Sequence, residues 1–126
     1  MNARVIVVVE RNAMLRDTLV EVLTETGYSV YGVMDTAEAK AIVDNIVHPC
    51  LILADLSSIG MSLSDFLQVR CTDIMLAQIP VAIMSSLAVA PGEKGVVQAH
   101  GAKNYLRKPF DLDLLLKAVD EHCSQA

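Results

Sequence analysis

Residues 49–56 read PCLILADL, an apolar run at 51–54 that is followed at once by the carboxylate of Asp55. Two further runs of this kind are VIVVV at 5–9 and VAIM at 81–84. Apolar residues in these runs do not alternate with polar ones, which is typical of parallel strands buried on both faces of a sheet. The three runs therefore predict the central strands of a parallel sheet.

Segments with helical periodicity separate the predicted strands. The first carries an apolar stripe and ends at Gly27; the stripe is Leu15, Leu19, Val22 and Leu23. Further helices are predicted after a Thr36 N-cap, from about Ser64, near Pro91–Ala99 and after an Asp111 cap, with weaker strands at Ser29–Val33 and Asn104–Arg107. Five strand–helix units predict a single α/β domain, residues 1–126, with a doubly wound five-stranded parallel sheet in the strand order 2-1-3-4-5.

The composition is that of a folded domain. Of the 126 residues, 53% are hydrophobic and 20% are charged, which excludes a disordered chain. The formal net charge of −5 provides no basic footprint for nucleic acid. No apolar run approaches the ~18 residues of a membrane span, and no signal peptide is evident. We therefore expect a cytoplasmic protein that binds neither nucleic acid nor a membrane.

The three cysteines, Cys50, Cys71 and Cys123, are candidates for cross-links or metal ligands. They are odd in number, lie far apart and form no CxxC or CxxH pair, so neither a disulfide framework nor a zinc site is indicated. We predict three reduced thiols, as is usual in the cytoplasm.

Polar residues follow the predicted strands at the carboxyl edge, where such sheets place their working sites. Glu10 and Arg11 follow the first strand, Asp55 the third, Ser85 the fourth and Lys108 the fifth. A carboxylate is able to attack an activated phosphoryl group and become an acyl phosphate, while an ammonium and a hydroxyl stabilise the transferred charge. The pattern predicts phosphoryl transfer to Asp55, with a divalent cation held by neighbouring carboxylates.

Four segments, in order and at fitting separations, carry a resemblance to a known family. They are residues 4–16, 49–56 (PCLILADL), 79–86 (IPVAIMSS) and 101–112 (GAKNYLRKPFDL). The sequence resembles the receiver domains of two-component response regulators over nearly its whole length. The resemblance implies a signalling module rather than a turnover enzyme. Its implied partners are a sensor histidine kinase or phosphotransfer protein and a downstream protein or output domain, and a homodimer is left open.

The resemblance also implies roles for single residues. Asp55 is the phospho-acceptor, Lys108 contacts the phosphoryl group, and Lys108–Pro109 is a cis peptide bond. Ser85 is the switch hydroxyl, and Tyr105 is the aromatic side chain whose rotation reports the state. The implied output surface combines the fourth predicted helix, the fifth strand and the fifth predicted helix.

For the metal, the resemblance implies Mg²⁺ held by Glu10, Asp55 and the main-chain carbonyl of Ser57. Family members usually end the first strand with two acids, but Arg11 follows Glu10 in this chain. Reversing a charge beside a divalent cation costs several kcal/mol even at an effective dielectric constant of about 20, so Arg11 weakens or abolishes metal binding. The alternative function is a pseudo-receiver, a phosphorylation-independent protein-interaction domain in which Arg11 replaces the metal.

Two enzyme classes that use a similar sheet are disfavoured. A haloacid-dehalogenase-type phosphatase requires a second aspartate two residues after its nucleophile, where this chain has Ser57. A dinucleotide-binding protein requires a glycine-rich turn after the first strand, where residues 10–12 read Glu-Arg-Asn.

Overall fold

The computed structural model describes residues 4–46, 48–56, 62–85, 102–107 and 112–123, with the backbone alone at 63, 64, 85 and 102–107. The strands in these ranges are β1 (Val5–Val9), β2 (Ser29–Val33), β3 (Leu51–Asp55), β4 (Val81–Ser85) and β5 (Ala102–Arg107). The helices are α1 (Ala13–Glu25), α2 (Thr36–Asn45), α3 (Leu63–Thr72), α4 (Ile74–Ala77) and α5 (Leu112–Cys123).

The strands form one parallel sheet in the order β2-β1-β3-β4-β5, which confirms the predicted topology. In β1, β3 and most of β4 the side chains are buried on both faces, as their uninterrupted apolar composition predicts. β2 lies at one edge of the sheet and is more exposed. Because all five strands are parallel, their carboxyl ends lie together along one boundary of the sheet, perpendicular to the strands, which we call the carboxyl edge.

Alternate residues of β1 point into two hydrophobic layers, one on each face of the sheet. Val7 and Val9 belong to the layer covered by α2, α3 and α4. Ile6 and Val8 belong to the layer covered by α1 and α5. This two-sided covering is the doubly wound arrangement expected from the sequence.

The helix boundaries depart from the sequence-based prediction in two places. The N-cap of α2 is Asp35, whose carboxylate accepts a hydrogen bond of 2.9 Å from the amide of Glu38, whereas the predicted cap, Thr36, is the first helical residue. The third predicted helix is divided at Asp73, which ends α3 and caps α4. The predicted helix near Pro91–Ala99 and the predicted Asp111 cap lie outside the described residues.

The prediction of three reduced thiols is wrong, since Cys50 and Cys123 form a disulfide bond with a Cα–Cα distance of 5.4 Å. Cys50 immediately precedes β3 and Cys123 ends α5, 73 residues further along the chain. The last helix returns towards the amino edge of the sheet and brings its end to the start of the central strand, an approach that sequence spacing does not reveal. Cys71 is a free, exposed thiol.

None of the helices in the part of the chain that the structure describes is long and apolar enough to cross a membrane.

Candidate functional site

Two buried carboxylates lie at neighbouring strand ends. Asp55 is the last residue of β3 and Glu10 directly follows β1; both are 0% exposed. Val9 is the register partner of Ala54, so the two acids occupy the next position on adjacent parallel strands. Aspartate and glutamate are almost never fully buried unless they serve a paired or functional role. This pair therefore marks the carboxyl edge as the candidate site.

The loop that follows β1 has a defined hydrogen-bonded shape. The amide of Glu10 donates to the carbonyl of Val33 at 3.0 Å, and the Glu10 Oε2 atom accepts a hydrogen bond of 3.1 Å from the amide of Asn12. Asn12 in turn caps α1, since its Oδ1 atom accepts a hydrogen bond of 3.1 Å from the amide of Leu15. The carboxylate of Glu10 is thus positioned by the start of the first helix.

Arg16 joins α1 to the same loop. Its Nη1 atom donates to the carbonyl of Glu10 at 2.9 Å and makes a longer hydrogen bond of 3.4 Å to the carbonyl of Arg11. The side chain passes close to Gly32 on β2, where a Cβ atom would lie 3.0 Å from Cγ of Arg16 and 2.9 Å from Cγ2 of Val20. Sequence reasoning missed Arg16; the signal available was a glycine within a strand, which often marks a close approach.

Arg11 directly follows Glu10 in the sequence, and it is exposed, unlike the two buried carboxylates of Glu10 and Asp55, here called the acid pair. Its position is the one where the resemblance implies a second acid. The described part of the site therefore carries two carboxylates, Glu10 and Asp55, and two guanidiniums, those of the exposed Arg11 and of Arg16, so that the formal charges of these four groups cancel.

The backbones of the two implied switch residues lie on the neighbouring strands. Met84 is the register partner of Asp55, and Ser85, the next residue, ends β4 at the same edge of the sheet. Tyr105 lies within β5 as the register partner of Ile83. The side chains of Ser85 and Tyr105 are outside the described part of the structure, so their switch roles stay predictions.

Three other implied site residues lie outside the described residues altogether. They are Ser57, Lys108 and Pro109, and with them the implied cis peptide bond. The chain places Lys108 directly after Arg107, which ends β5 as the register partner of Ser85.

The donor chemistry of the acid pair suits a magnesium ion. Mg²⁺ is usually bound through one or two carboxylates and completes its octahedral shell with waters and substrate phosphate oxygens. Glu10 and Asp55 supply two such carboxylates on adjacent strands. Within the described ranges no cluster of three or more histidine, cysteine, aspartate or glutamate side chains is suited to hold a metal, so a wholly side-chain cage is not present there.

Comparison with known proteins identifies the fold. No family model matches the chain, and no curated protein matches its sequence. A response regulator from Thermotoga maritima is 22% identical with a TM-score of 0.77, over 98% of this chain and 100% of that one. The non-phosphorylated HemR receiver domain from Leptospira biflexa is 21% identical with a TM-score of 0.79, over 98% of this chain and 96% of that one.

A third similar structure is the signal receiver domain of a signal transduction histidine kinase from Syntrophus aciditrophicus. It is 25% identical with a TM-score of 0.79, over 97% of this chain and 91% of that one. These structures match the chain over nearly its whole length. The chain therefore has the fold of response regulator receiver domains.

Proposed function

We propose that this chain is the phospho-accepting receiver module of a two-component system, with Asp55 as the acceptor. The observation that supports this most directly is the pair of buried carboxylates, Glu10 and Asp55, side by side at the carboxyl edge of a receiver-fold sheet. In open α/β sheets this edge is the place where ligands bind. The module accepts a phosphoryl group and passes on a conformational signal, and it is not a turnover enzyme.

In the proposed reaction a carboxylate oxygen of Asp55 attacks the phosphorus of the donor. The new O–P bond forms as the bond from phosphorus to the donor's leaving atom breaks, and the leaving group takes up a proton from solvent. Lys108 and Ser85 have the implied roles of stabilising the charge on the phosphoryl oxygens, and Tyr105 that of reporting the change. The products are an aspartyl phosphate and the free donor.

Glu10 and Asp55, together with the carbonyl of Ser57, are the groups that would hold Mg²⁺. When bound, the ion supplies positive charge that offsets the charge of the phosphoryl group. Asn12 and Arg16 support this arrangement by hydrogen bonding to the carboxylate and the carbonyl of Glu10.

The proposed partners follow from the same reading. The similar domain from Syntrophus aciditrophicus is the receiver domain of a histidine kinase. We therefore propose a histidine kinase or phosphotransfer protein as the phosphoryl donor, and a downstream protein or output domain as the partner that responds to the phosphorylated state. We also propose a cytoplasmic location.

A second candidate function, the pseudo-receiver, is favoured by Arg11. A cation beside the acid pair disfavours a divalent ion, and a fold that no longer binds the ion would serve as a protein-interaction domain without phosphorylation. Because Arg11 is exposed, solvent screens much of its effect, and we expect it to lower Mg²⁺ affinity about tenfold rather than to abolish binding.

The experiment is a magnesium titration with beryllofluoride, a phosphoryl analogue, followed by amide NMR shifts at Ser85 and Tyr105. We expect shifts in the wild type that are lost in Asp55→Asn. Arg11→Asp is expected to bind Mg²⁺ about tenfold more tightly. Lys117→Asp, the same charge reversal at an exposed position on α5, is the matched control and should leave the affinity unchanged.

The outcomes separate the two functions. A wild type that shows no shift at millimolar Mg²⁺, combined with a response gained by Arg11→Asp, would identify a pseudo-receiver whose pocket is blocked by the arginine. The absence of a response in both would reject phosphoryl acceptance at Asp55.

A further inference from the structure

The Cys50–Cys123 disulfide joins two elements that meet at the amino edge of the sheet. Cys50 is half-buried and directly precedes the central strand β3, whereas Cys123 is 2% exposed and is the last residue of α5. The bond therefore fastens the end of the last helix to the start of the strand that carries Asp55 at its other end. Four strand residues lie between Cys50 and Asp55, which places the two about 16 Å apart along the strand.

The domain does not depend on this bond for a core. Leu115, Ala118 and Val119 of α5 are buried, and Leu115 and Val119 contribute to the hydrophobic layer that includes Ile6 and Val8 of β1. Disulfide staples are usually required in domains much smaller than 126 residues, which cannot build a sufficient core. The bond is thus an addition to a helix that is already docked by its apolar face.

The surroundings of Cys50 also accommodate the reduced state. Its Sγ atom lies 3.2 Å from the carbonyl oxygen of Val5, which in addition accepts a hydrogen bond of 2.8 Å from the Cys50 amide. A disulfide sulfur carries no proton, but a thiol at the same position would have an acceptor in place, since a carbonyl oxygen has two lone pairs. Cys50 therefore has a suitable environment both as a disulfide and as a thiol.

We propose that Cys50 and Cys123 form a reversible redox clamp on the last turns of α5. The chemistry is thiol–disulfide exchange with a dithiol of the cell. One dithiol sulfur attacks Sγ of Cys50, the more exposed of the two residues, and Cys123 leaves as a thiolate that takes up a proton. The second dithiol sulfur then resolves the mixed disulfide, so that two electrons and two protons pass from the dithiol to the protein.

Reduction releases the covalent attachment of residues 120–123 but leaves the apolar contacts of Leu115 and Val119. The expected effect is therefore local opening at the end of α5, with the sheet unchanged. The regulatory role rests on the proposed cytoplasmic location, where a disulfide is usually transient and catalytic or redox-sensing. The clamp does not depend on phosphorylation of Asp55, and its test involves neither phosphate nor metal.

The test uses the full chain with Cys71→Ser, because the exposed Cys71 thiol would otherwise permit disulfide exchange within and between molecules. The protein is equilibrated in mixtures of reduced and oxidised dithiothreitol without denaturant, quenched with acid and alkylated with N-ethylmaleimide. Intact mass then reports two modified thiols when the clamp is open and none when it is closed. Circular dichroism monitors the fold.

We expect reduction to occur in the folded protein, to speed amide exchange in residues 120–123 about tenfold, and to leave exchange in β1 unchanged. The melting temperature should fall by about 10 °C, as for a disulfide that closes a long loop. A Cys50→Ala/Cys123→Ala variant in the same background should have the exchange pattern of the reduced form and no response to dithiothreitol.

Three results would overturn the proposal. In the first, both thiols alkylate even in fully oxidised buffer, so that the bond does not form. In the second, reduction occurs only when the protein unfolds, which would make the bond a permanent staple. In the third, amide exchange at the end of α5 is equal in both redox states.

Discussion

The guanidinium of Arg16 donates a hydrogen bond of 2.9 Å to the main-chain carbonyl of Glu10, six residues earlier in the chain. This bond fastens the first helix to the loop that presents one of the two buried carboxylates. The carboxylate itself accepts a hydrogen bond from the amide of Asn12, the residue that caps the same helix. The position of Glu10 beside Asp55 is therefore held from α1 as well as from the sheet.

Replacing Arg16 with methionine should loosen this loop. Methionine retains much of the apolar stem but cannot donate to the carbonyls of Glu10 and Arg11. We expect a loss of about 1 kcal/mol in the free energy of unfolding and faster amide exchange at residues 11 and 12. Urea denaturation and hydrogen exchange measure the two effects. Asp17→Asn, an exposed change on the same helix, is the control, and unchanged loop exchange in Arg16→Met would contradict the assignment.

Gly32→Ala should be destabilising although alanine is otherwise preferred to glycine in a strand. The added Cβ would lie 2.9 Å from Cγ2 of Val20 and 3.0 Å from Cγ of Arg16, closer than ordinary contact. We expect a cost of about 1 kcal/mol, since overpacking costs roughly 1–3 kcal/mol and β2 is an edge strand that can yield.

A double-mutant cycle isolates the cause of this cost. In a Val20→Ala background the nearest contact is gone but the one with Cγ of Arg16 remains, so the cost of Gly32→Ala should fall to about half. Equal costs in the two backgrounds, measured as urea midpoints, would show that the crowding against Val20 is not responsible.

The two buried carboxylates, Glu10 and Asp55, should make the metal-free protein less stable than variants in which either one is replaced by an uncharged amide. Glu10 and Asp55 are both buried at adjacent strand ends, and like charges in such a place repel. Glu10→Gln and Asp55→Asn are each expected to raise the free energy of unfolding by about 1 kcal/mol. The double variant should gain less than the sum, because either change alone removes the repulsion.

Thermal denaturation in a metal chelator provides the measurement for the acid pair. Glu21→Gln, which removes an exposed carboxylate of α1, serves as the control and should leave the melting temperature nearly unchanged. A lower melting temperature in Asp55→Asn would mean that the partners of this carboxylate outweigh the repulsion.

Asp73 should make the free energy of unfolding depend on pH in the acid range. The backbone amide of Leu76, followed by the ammonium of Lys40 at 3.2 Å, holds the pKa of the Asp73 carboxyl below its ordinary value. A carboxyl group whose pKa is lower in the folded state stabilises the protein fully at pH values above its unfolded-state pKa of about 3.9. This stabilisation is lost as the pH falls through the lower, folded-state pKa.

Asp73→Asn tests this sign, since asparagine also caps helices but carries no charge. The variant should have a lower urea midpoint than the wild type at neutral pH, and the two should converge at strongly acid pH. Asp17→Asn, at an exposed position away from Lys40, should show no such convergence. A constant difference between wild type and Asp73→Asn at every pH would exclude the charge as its source.

Much of the fold was accessible from local sequence patterns. The runs at 5–9 and 51–54 predict buried parallel strands because an apolar sequence without alternation suits only a sheet covered on both faces. Glu10 and Asp55 were predicted at one edge because parallel strands end at one edge. The N-cap of α2 was misplaced by one residue because Asp35 and Thr36 are both good capping residues and the sequence does not distinguish them.

Contacts between distant segments were not accessible in this way. The buried guanidinium of Arg70 donates to the carbonyls of Ala77 and Ile79 at 3.1 and 2.7 Å, and burial lowers its pKa, yet its sequence context is that of an ordinary surface helix. The approach of Arg16 to Gly32 likewise joins a helix to a strand. Periodicity reports which face of an element is apolar, and it carries no information on which polar groups of other elements come within reach.

The sequence alone determined a parallel α/β sheet and two carboxylates at its carboxyl edge, because both follow from patterns within single strands. Only the tertiary structure decided that Arg16 supports Glu10 and that Cys50 is bonded to Cys123. The physical reason is that a hydrogen bond or disulfide requires an approach of a few ångströms between atoms. Such an approach is set by how helices pack on the sheet, which no spacing along the chain encodes.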